Sequence, residues 1–458
     1  MVLTGRAGLL AALGAVAVLL APAPGLTMAG VCLLLLALIV VDLALAGGVR
    51  PLRLRRAGDR AVRLGQTARV ELIVENPGRR RVRGVLRDAW PPSAGASPRH
   101  HRVDIPSGER RRVVTTLTPT RRGDREAVTV TVRSLGPFGV AGRQGAHRVP
   151  WSVRVLPPFL SRKHLPSRLA RLRELEGQHP VLVRGQGTEF DSLREYVIGD
   201  DVRSIDWRAT ARRHDVVVRT WRPERDRRVL IVVDTGRTSA GRVGTAPVAL
   251  AGAMPSSASS SLSAAATAVP PGWPRLDWLL DAALLLAALA ARAGDRVDFL
   301  AYDRAVRAWV AGAGRNELLP AMVNVMAPLE AELIEADAPG MVSAVLARAK
   351  RRCLVVLLTD LNSASMEEGL LPVLPQLASR HLVLLASVAD PRVAAMARGR
   401  GTPERVYDAA AAEHLNAQRR SITARLRRHG VEVVDAPPED IAPALADAYL
   451  ALKAAGRL

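Results

Sequence analysis

The chain begins with two apolar runs that are separated by a short break. Residues 7–21 are apolar, residues 27–46 are apolar except for Asp42, and Pro-Ala-Pro-Gly at 22–25 lies between them. A membrane-crossing helix needs about 20 apolar residues, and a Pro-Gly break suits a tight connection between two helices. The pattern predicts a transmembrane hairpin over residues 1–49. Asp42 lies near the end of the second helix, where a carboxylate is tolerated.

Arginines flank this hairpin. Arg6 precedes the first run, and four arginines follow the second within residues 50–56. Basic residues beside a span stay on the cytoplasmic side, so we expect a protein of the cell membrane with residues 50–458 in the cytoplasm. A cleaved signal peptide ending near residue 23 is the alternative, and it leaves the second helix and the same orientation.

Strand-like alternation follows in residues 50–156. Apolar and polar positions alternate at 68–75, 112–117 and 127–133, and Asn-Pro-Gly at 76–78 is a turn sequence. Several short strands within about 100 residues indicate a β-sandwich of immunoglobulin-like type. We therefore expect a β-domain here.

From residue 229 onward, continuous apolar runs alternate with helical patterns. Strands are predicted at 229–234, 296–302, 353–359, 382–388 and 431–434. Helices are predicted at 276–293, 315–328, 339–350, 366–379, 410–428 and 439–454. Strands that are apolar throughout are typical of a sheet covered on both faces, so residues 229–458 predict a doubly wound α/β domain with a mostly parallel sheet.

A low-complexity insertion interrupts this domain at residues 245–274. It is rich in Ala and Ser and ends in Pro-Pro-Gly at 270–272, so it lacks the large side chains needed for a core. We expect a disordered linker in the first strand-to-helix loop. A lid over the nearby strand end is the alternative.

Composition narrows the possible partners. Of the 458 residues, 65 are basic and 43 acidic, for a net charge of +22. Residues 50–160 hold 24 Arg against eight acids, so much of the excess positive charge lies in the β-domain. This charge suits binding to anionic lipid headgroups, and the alternative is that it reflects an Arg-rich proteome. Four Phe, four Tyr and no nucleic-acid module argue against nucleic acid as a partner. The two cysteines lie in apolar runs, which indicates a reducing compartment.

Residues 157–228, here called the signature segment, carry an unusual charge pattern. Ten Arg and nine acids lie within residues 185–230. Alternating signs favour ion pairs that dock the segment on the α/β sheet, with Trp207 as an apolar plug. A partner-binding surface is the alternative. The candidate residues for either role are Arg194, Tyr196, Gly199, Asp200, Asp201, Arg203, Asp206, Trp207 and Arg212.

This segment resembles the domain-of-unknown-function-58 family of membrane-anchored proteins. The matching pieces are Glu-Phe at 189–190, Leu-Arg-Glu-Tyr at 193–196, Gly-Asp-Asp-Val-Arg at 199–203, Ile-Asp-Trp at 205–207 and Ala-Arg at 211–212. Arg-Arg-Gly at 121–123, Val-Arg-Ser at 132–134 and Pro-Phe-Gly at 137–139 look like the upstream β-domain of that family. The resemblance implies a cytoplasmic von Willebrand factor A-like domain near a MoxR-type AAA+ ATPase. It implies no established enzymatic activity.

The resemblance also implies a candidate metal site. A-like domains hold Mg²⁺ through oxygen ligands at strand ends, and Asp234, Thr238 and Asp360 match three of these positions. Gly236 replaces one expected hydroxyl, and Glu-Ala-Asp at 335–337 lies about where a threonine is expected. The metal-free alternative is that both aspartates cap loops and accept backbone hydrogen bonds.

Together these observations predict a membrane-anchored, non-enzymatic binding or scaffold protein. Its A-like domain is expected to recruit a MoxR-type AAA+ ATPase. The alternatives are a structural cell-envelope protein with a degenerate, metal-free A-like domain, and a hydrolase that uses the acidic cluster around Asp200. No serine, cysteine or histidine arrangement points to a catalytic residue.

Overall fold

The computed structural model describes residues 1–178, 189–197, 202–213, 215–222, 227–245, 247 and 272–458. The chain divides into two compact units. The first includes Met1–Pro158, and the second contains Phe159–Thr245 and Pro271–Leu458. The first unit therefore combines the apolar N-terminus with the strand-rich region, and the second holds the signature segment and the α/β region.

Two apolar helices open the first unit. A short strand, β1 (Val2–Leu3), precedes α1 (Gly5–Leu20) and α2 (Pro24–Leu45). Pro24 lies in the first turn of α2, where its missing N–H leaves no helical hydrogen bond unmade. With 22 residues, α2 is long and apolar enough to cross a membrane, whereas α1 is an apolar helix of 16 residues. At 1.5 Å per residue, α2 is roughly 33 Å long.

Nine further strands complete the first unit as two packed sheets. They are β2 (Arg53–Gly58), β3 (Ala61–Arg63), β4 (Ala68–Glu75), β5 (Val82–Asp88), β6 (Ala96–Ser97), β7 (His100–Ile105), β8 (Arg110–Leu117), β9 (Gly123–Leu135) and β10 (Ala141–Leu156). One sheet has the order β1-β10-β9-β5-β7 with β3 beside β10, and the other has the order β2-β4-β8-β6. Leu72 and Val74 of one sheet share a buried core with Leu86, Val130 and Val132 of the other. The predicted sandwich is thus present.

The second unit begins with the signature segment. Helix α3 (Leu165–Gln178) is followed by a hairpin of β11 (Glu189–Glu195) and β12 (Val217–Arg222), and α4 (Trp207–Arg213) lies between the two strands in sequence. A one-residue bridge joins Ile205 to Val218 on the same hairpin. The described part of the segment is therefore a small α/β hairpin with its own backbone ladder.

A six-stranded sheet forms the centre of the second unit. Its strands are β13 (Arg228–Asp234), β16 (Arg296–Tyr302), β17 (Val306–Val310), β18 (Leu354–Leu358), β19 (Leu382–Val388) and β20 (Glu432–Ala436), and β14 (Arg242–Val243) pairs separately with β15 (Trp273–Pro274). The order is β17-β16-β13-β18-β19-β20. All neighbouring pairs are parallel except the antiparallel edge strand β17.

Helices cover both faces of this sheet. They are α5 (Arg275–Arg292), α6 (Leu318–Met326), α7 (Ala338–Arg348), α8 (Leu371–Ala378), α9 (Pro391–Ala397), α10 (Pro403–Arg428) and α11 (Ile441–Ala454). Helix α5 packs on β13, β16 and β19, with α11 beside it. On the other face, Val345 of α7, Leu374 of α8 and Leu426 of α10 pack against Leu230 and Val355 of the strands. Burial on both sides explains the continuous apolar strands.

The predicted elements of this region agree closely with the structure. The five predicted strands lie within two residues of β13, β16, β18, β19 and β20. The helix predicted at 366–379 is instead a π-helical turn, Ser365–Leu370, followed by α8. Pro375 inside α8 has no N–H for a helical hydrogen bond, which disturbs regular α-geometry. The insertion predicted at 245–274 lies largely outside the described residues.

Helix α10 begins earlier than predicted. The expected start was residue 410, but the helix begins at Pro403. Thr402 is the N-cap, and its side chain accepts a hydrogen bond from the Arg405 N–H. Thr-Pro-Glu is a regular start sequence for a helix, so the seven extra residues follow from local chemistry that the apolar pattern alone did not reveal.

Candidate functional site

The carboxyl end of β13 holds Asp234 in a closed set of hydrogen bonds. Asp234 is 5% exposed. One carboxylate oxygen accepts from the Gly236 N–H at 2.8 Å, and the other accepts from Thr238 Oγ1 at 3.2 Å and Thr359 Oγ1 at 2.8 Å. Burial raises the pKa of Asp234, although these hydrogen bonds act in the opposite direction. Asp234 is therefore a structural acceptor that ties the end of β13 to the end of β18.

Asp360, which follows Thr359, is paired with two arginines. Arg275 Nη1 and Arg419 Nη1 each lie 3.0 Å from a carboxylate oxygen of Asp360. Arg275 also donates to the Thr238 carbonyl at 2.6 Å. Burial lowers the pKa of Arg275, and Asp360 opposes that shift. The guanidinium of Arg275 thus bridges the loop after β13 and the end of β18.

The donor set as arranged does not fit a magnesium ion. Mg²⁺ needs near-octahedral oxygen ligands at short distances. Both oxygens of Asp234 already accept hydrogen bonds, and the charge of Asp360 is balanced by two guanidinium groups. The described residues contain no group of three or more His, Cys, Asp or Glu that could hold a metal. Magnesium binding at Asp234, Thr238 and Asp360 stays a prediction, and this geometry favours the loop-capping alternative.

Other acids near the sheet edge also have local partners. Asp303 follows β16, accepts a hydrogen bond from Thr235 Oγ1 at 3.1 Å and pairs with Arg307. Asp337 caps α7 by accepting from the Gly340 N–H at 2.9 Å. These two aspartates stabilise the connections between strands and helices. Their carboxylates are therefore already engaged and are not open ligand positions at the carboxyl end of the sheet.

In the signature segment, Asp206 organises the turn before α4. Its carboxylate accepts from the N–H groups of Arg208 at 3.0 Å and Ala209 at 3.1 Å, and Arg219 of β12 lies 2.7 Å from it. The hydrogen bond from Ala209 and the ion pair with Arg219 lower the pKa of Asp206. This aspartate–arginine pair lies within the signature segment, where it joins α4 to β12, and docking of the segment on the α/β sheet stays a prediction.

The remaining signature residues are distributed over the same hairpin. Tyr196 donates its N–H to the Val216 carbonyl at 2.8 Å, and Arg194 lies opposite Val218 on β11. Arg203 lies in the short 3₁₀ helix Val202–Ser204, and Arg212 lies on α4; both are exposed. Gly199, Asp200 and Asp201 fall outside the described residues.

Trp207 does not occupy a core. The sequence interpretation made it an apolar plug, but its side chain is 68% exposed at the start of α4. Val197, Val202 and Val216 on the same hairpin are also exposed. The exposed Trp207 and these three valines are called the hairpin patch below. Exposed apolar side chains that include a tryptophan are typical of protein-binding surfaces.

Sequence reasoning missed the two arginines that define the sheet edge. Arg275 opens α5 directly after the insertion, and Arg419 lies within α10, 59 residues beyond Asp360. Neither lies in a recognisable motif. Only the packing of α5 and α10 around the sheet brings them to Asp360, so no local pattern could have identified them.

Comparison with known proteins finds similarity to a protein family in part of the chain. A family model described as "Protein of unknown function DUF58" matches residues 192–247 and 273–432. The match supports the DUF58 family. The matched residues include the hairpin patch, Asp234, Thr238 and the Asp360 pairs, so the match covers both candidate sites. The family description itself assigns no function. No curated protein matches the chain.

Two solved structures that are similar to part of the chain each cover less than a quarter of it. The crystal structure of the CARDB domain of the PF1109 protein from Pyrococcus furiosus, in complex with di-metal ions, is 20% identical, with 23% of this chain and 91% of that chain covered and a TM-score of 0.17. A β-glucosidase from Listeria innocua is 16% identical, with 21% of this chain and 16% of that chain covered and a TM-score of 0.15. These scores are too low to carry an argument about function.

Proposed function

We propose that this chain is a membrane-anchored, non-enzymatic scaffold that binds a cytoplasmic protein through its second unit. In this proposal, α2 anchors the chain in the cell membrane and residues 50–458 lie in the cytoplasm. The sheet of the second unit is a von Willebrand factor A-like domain. Its parallel order and the two aspartates at the strand ends support that assignment.

The observation that carries the proposal is the hairpin patch. Trp207 is exposed at the first residue of α4, Asp206 caps the start of that helix, and Arg219 joins Asp206 to β12. A tryptophan side chain has only two rotatable bonds and loses little conformational freedom on binding, so it can supply much of the energy of a protein interface. The patch therefore supports a docking surface for another protein.

The partner class rests on the family resemblance. That resemblance implies a MoxR-type AAA+ ATPase, and the match to the DUF58 family supports it as the first candidate. A non-enzymatic role is consistent with the sheet edge, where Asp234 and Asp360 are committed to hydrogen bonds and ion pairs. We assign these carboxylates the role of holding the edge in shape.

The test uses the full-length chain extracted from its own membranes in mild detergent. Trp207→Ala should lower recovery of a MoxR-type AAA+ ATPase by about tenfold or more, as expected for an interface tryptophan. Tyr407→Ala is the matched control, because Tyr407 is 76% exposed on α10 of the same unit. The control should recover as much ATPase as the unchanged chain. The proposal is abandoned if the unchanged chain captures no AAA+ ATPase.

A structural cell-envelope protein is the second candidate. The pairing of Asp360 with Arg275 and Arg419 favours it, because a sheet edge closed by arginines needs no ion and offers no open ligand position. This candidate predicts that the chain purifies with copies of itself or envelope components, and that Trp207→Ala changes nothing. Recovery of the ATPase by the unchanged chain but not by Trp207→Ala would exclude this second candidate.

A further inference from the structure

A cationic groove lies at the amino ends of the strands, at the opposite edge of the sheet from Asp234. Its volume is about 950 Å³. Arg228 and Arg296, the first residues of β13 and β16, line it together with Arg352, which precedes β18. The loop after β17, at residues 311–315, forms another wall. Small-molecule sites in proteins have volumes of roughly 300–1,000 Å³, so the groove is large enough for a ligand.

The lining of the groove is strongly basic. Seven lining side chains are Arg or Lys and two are Asp, which leaves a net charge of +5. The basic residues not named above are Arg315, Arg348, Lys350 and Arg351. Like charges repel in the absence of counterions, so a concentration of this size in one concavity favours a ligand with several negative charges.

Both acids in the groove are already paired. Asp298 forms an ion pair with Arg228 and accepts from the Gly312 N–H at 3.3 Å. Asp295 accepts from the Tyr449 hydroxyl and lies 3.4 Å from Lys453 Nζ. Their oxygens therefore contribute to the walls of the groove and do not neutralise its rim.

The rim carries three consecutive basic residues. Lys350, Arg351 and Arg352 are all exposed in the connection from α7 to β18, and within the described residues no carboxylate forms an ion pair with them. Nearby, the Arg348 guanidinium lies over the ring of Trp309 at 5.2 Å, which fixes its direction. The rim thus combines one oriented guanidinium with three side chains available to a ligand.

The glycine-rich loop makes the backbone accessible. Residues 311–314 read Ala-Gly-Ala-Gly, and Gly312 has a φ of +66°, a conformation that L side chains rarely adopt. A Cβ at Gly312 would meet no atom within 4 Å, so its left-handed backbone and not crowding favours glycine there. Because these residues carry no side chain larger than a methyl group, a bound anion can approach the loop backbone closely.

We infer that this groove binds a small molecule that carries two or more phosphate groups. Guanidinium groups match phosphate oxygens with paired hydrogen bonds, and a multiply charged phosphate would balance the excess of +5. A concave site of this volume suits a compact anion better than an extended acidic peptide, which would need a longer track of basic residues. The groove is separate from the hairpin patch, so the inference does not rest on the proposed partner.

The test is a calorimetric titration of the full-length chain in detergent with inorganic tripolyphosphate, without divalent cations and at near-physiological salt. Arg351→Gln combined with Arg352→Gln should weaken binding by about tenfold or more, because hydrogen bonds to charged groups are lost. The matched control is Arg398→Gln combined with Arg400→Gln. These arginines are exposed after α9, and the change removes the same charge. The dissociation constant of the control for tripolyphosphate should stay within about twofold of that of the unchanged chain, because the control loses only distant charges that salt screens.

Three results would overturn the inference: no binding of tripolyphosphate by the unchanged chain, equal weakening in both variants, or equally tight binding of a hexaglutamate peptide. Equal weakening would mean attraction to net charge alone. Equal affinity for the peptide would assign the groove to a carboxylate-rich protein segment. If the groove variant has a lower melting temperature than the control, a second groove variant, Arg315→Gln combined with Lys350→Gln, is used in its place. It should weaken tripolyphosphate binding by the same factor. Capture of an ATPase through Trp207 is measured separately, so either idea can fail alone.

Discussion

The Asp42 carboxylate at the end of α2 accepts a hydrogen bond of 2.6 Å from the Val140 N–H. The N–H groups of Phe138 and Ala141 donate to the same carboxylate at 2.9 Å each, and Asp42 is fully buried. Gly136 leaves the space that this requires, since a Cβ there would lie 2.4 Å from Asp42 Oδ1. The turn between β9 and β10 is therefore built around the end of the apolar helix.

Removing this carboxylate should loosen α2 from the β-sandwich. Asp42→Ala leaves three N–H groups without their acceptor, two of them buried, so we expect the free energy of unfolding of the first unit to fall by about 3 kcal/mol. Asp42→Asn keeps one oxygen acceptor and should cost less. Urea unfolding of the full-length chain in detergent, monitored by the protease sensitivity of the first unit, measures the effect of both substitutions.

The control for this prediction is Asp59→Ala. Asp59 is exposed and accepts one backbone hydrogen bond, from the Arg69 N–H at 2.8 Å. Its loss should cost no more than about 1 kcal/mol. Equal effects of Asp42→Ala and Asp59→Ala would mean that the buried contact does not join the helix to the sandwich.

The two cysteines give a test of membrane insertion. Cys32 lies exposed on α2, and Cys353 is buried before β18, where burial raises its pKa to about 11. Near neutral pH a thiol with that pKa is almost entirely protonated and therefore unreactive. If α2 spans the bilayer, lipid should shield Cys32, so neither cysteine should react with a maleimide in native membranes. After denaturation in detergent, both should be labelled.

Ala411→Cys supplies the positive control for this labelling. Ala411 is exposed on α10, so a cysteine there should react in inside-out membrane vesicles. Labelling of Cys32 at the same rate as Ala411→Cys would place α2 outside the bilayer and remove the membrane anchor from the proposed function.

Sequence patterns predicted the parts of the fold that depend on periodicity. Continuous apolar runs located β13 and β18, and they placed Asp234 and Asp360 at neighbouring strand ends. The alternation at 68–75 appears directly as alternating burial in β4. Periodicity succeeds here because it records which face of an element is buried, a property of each segment by itself.

Contacts between distant segments could not be predicted in this way. Asp42 was interpreted as a carboxylate tolerated near a helix end, yet its partners lie at least 96 residues away in the β9–β10 turn. Trp207 was expected in a core because tryptophan is apolar, but it is exposed at the cap of α4. In both cases the tertiary arrangement, which a single sequence does not encode locally, decides the role of the side chain.

Asp281 makes the stability of the second unit depend on pH. It is 5% exposed on α5 and accepts from the Ser161 N–H at 3.1 and 3.2 Å. Burial raises its pKa from 3.8 to about 6. Between these values the folded state binds more protons than the unfolded state. The contribution of Asp281 to stability therefore decreases as pH rises from about 4 to about 6, and is constant above that.

Asp281→Asn should remove this dependence while keeping an oxygen acceptor for Ser161. The free energy of unfolding of the variant minus that of the unchanged chain should increase by up to about 3 kcal/mol from pH 4 to pH 7. The reason is that the variant lacks the Asp281 carboxyl, whose pKa in the folded protein is about two units above its ordinary value. Urea unfolding at several pH values measures the difference. A difference that does not change with pH would mean that Asp281 has an ordinary pKa in the folded protein.

The pairs of Asp360 with Arg275 and Arg419 lead to the last prediction, which concerns magnesium. A ligand present at 100 times its dissociation constant stabilises a folded protein by about 2.7 kcal/mol. Because guanidinium groups already balance Asp360, we expect millimolar Mg²⁺ to leave the melting temperature of the second unit unchanged. Asp360→Asn should itself destabilise the unit by about 1–3 kcal/mol, since two half-buried arginines lose a charged partner while Arg419 keeps its ion pair with Asp435. A rise in melting temperature with Mg²⁺ that Asp360→Asn abolishes would instead establish the metal site at Asp234, Thr238 and Asp360. A rise that survives Asp360→Asn would assign the ion to another place.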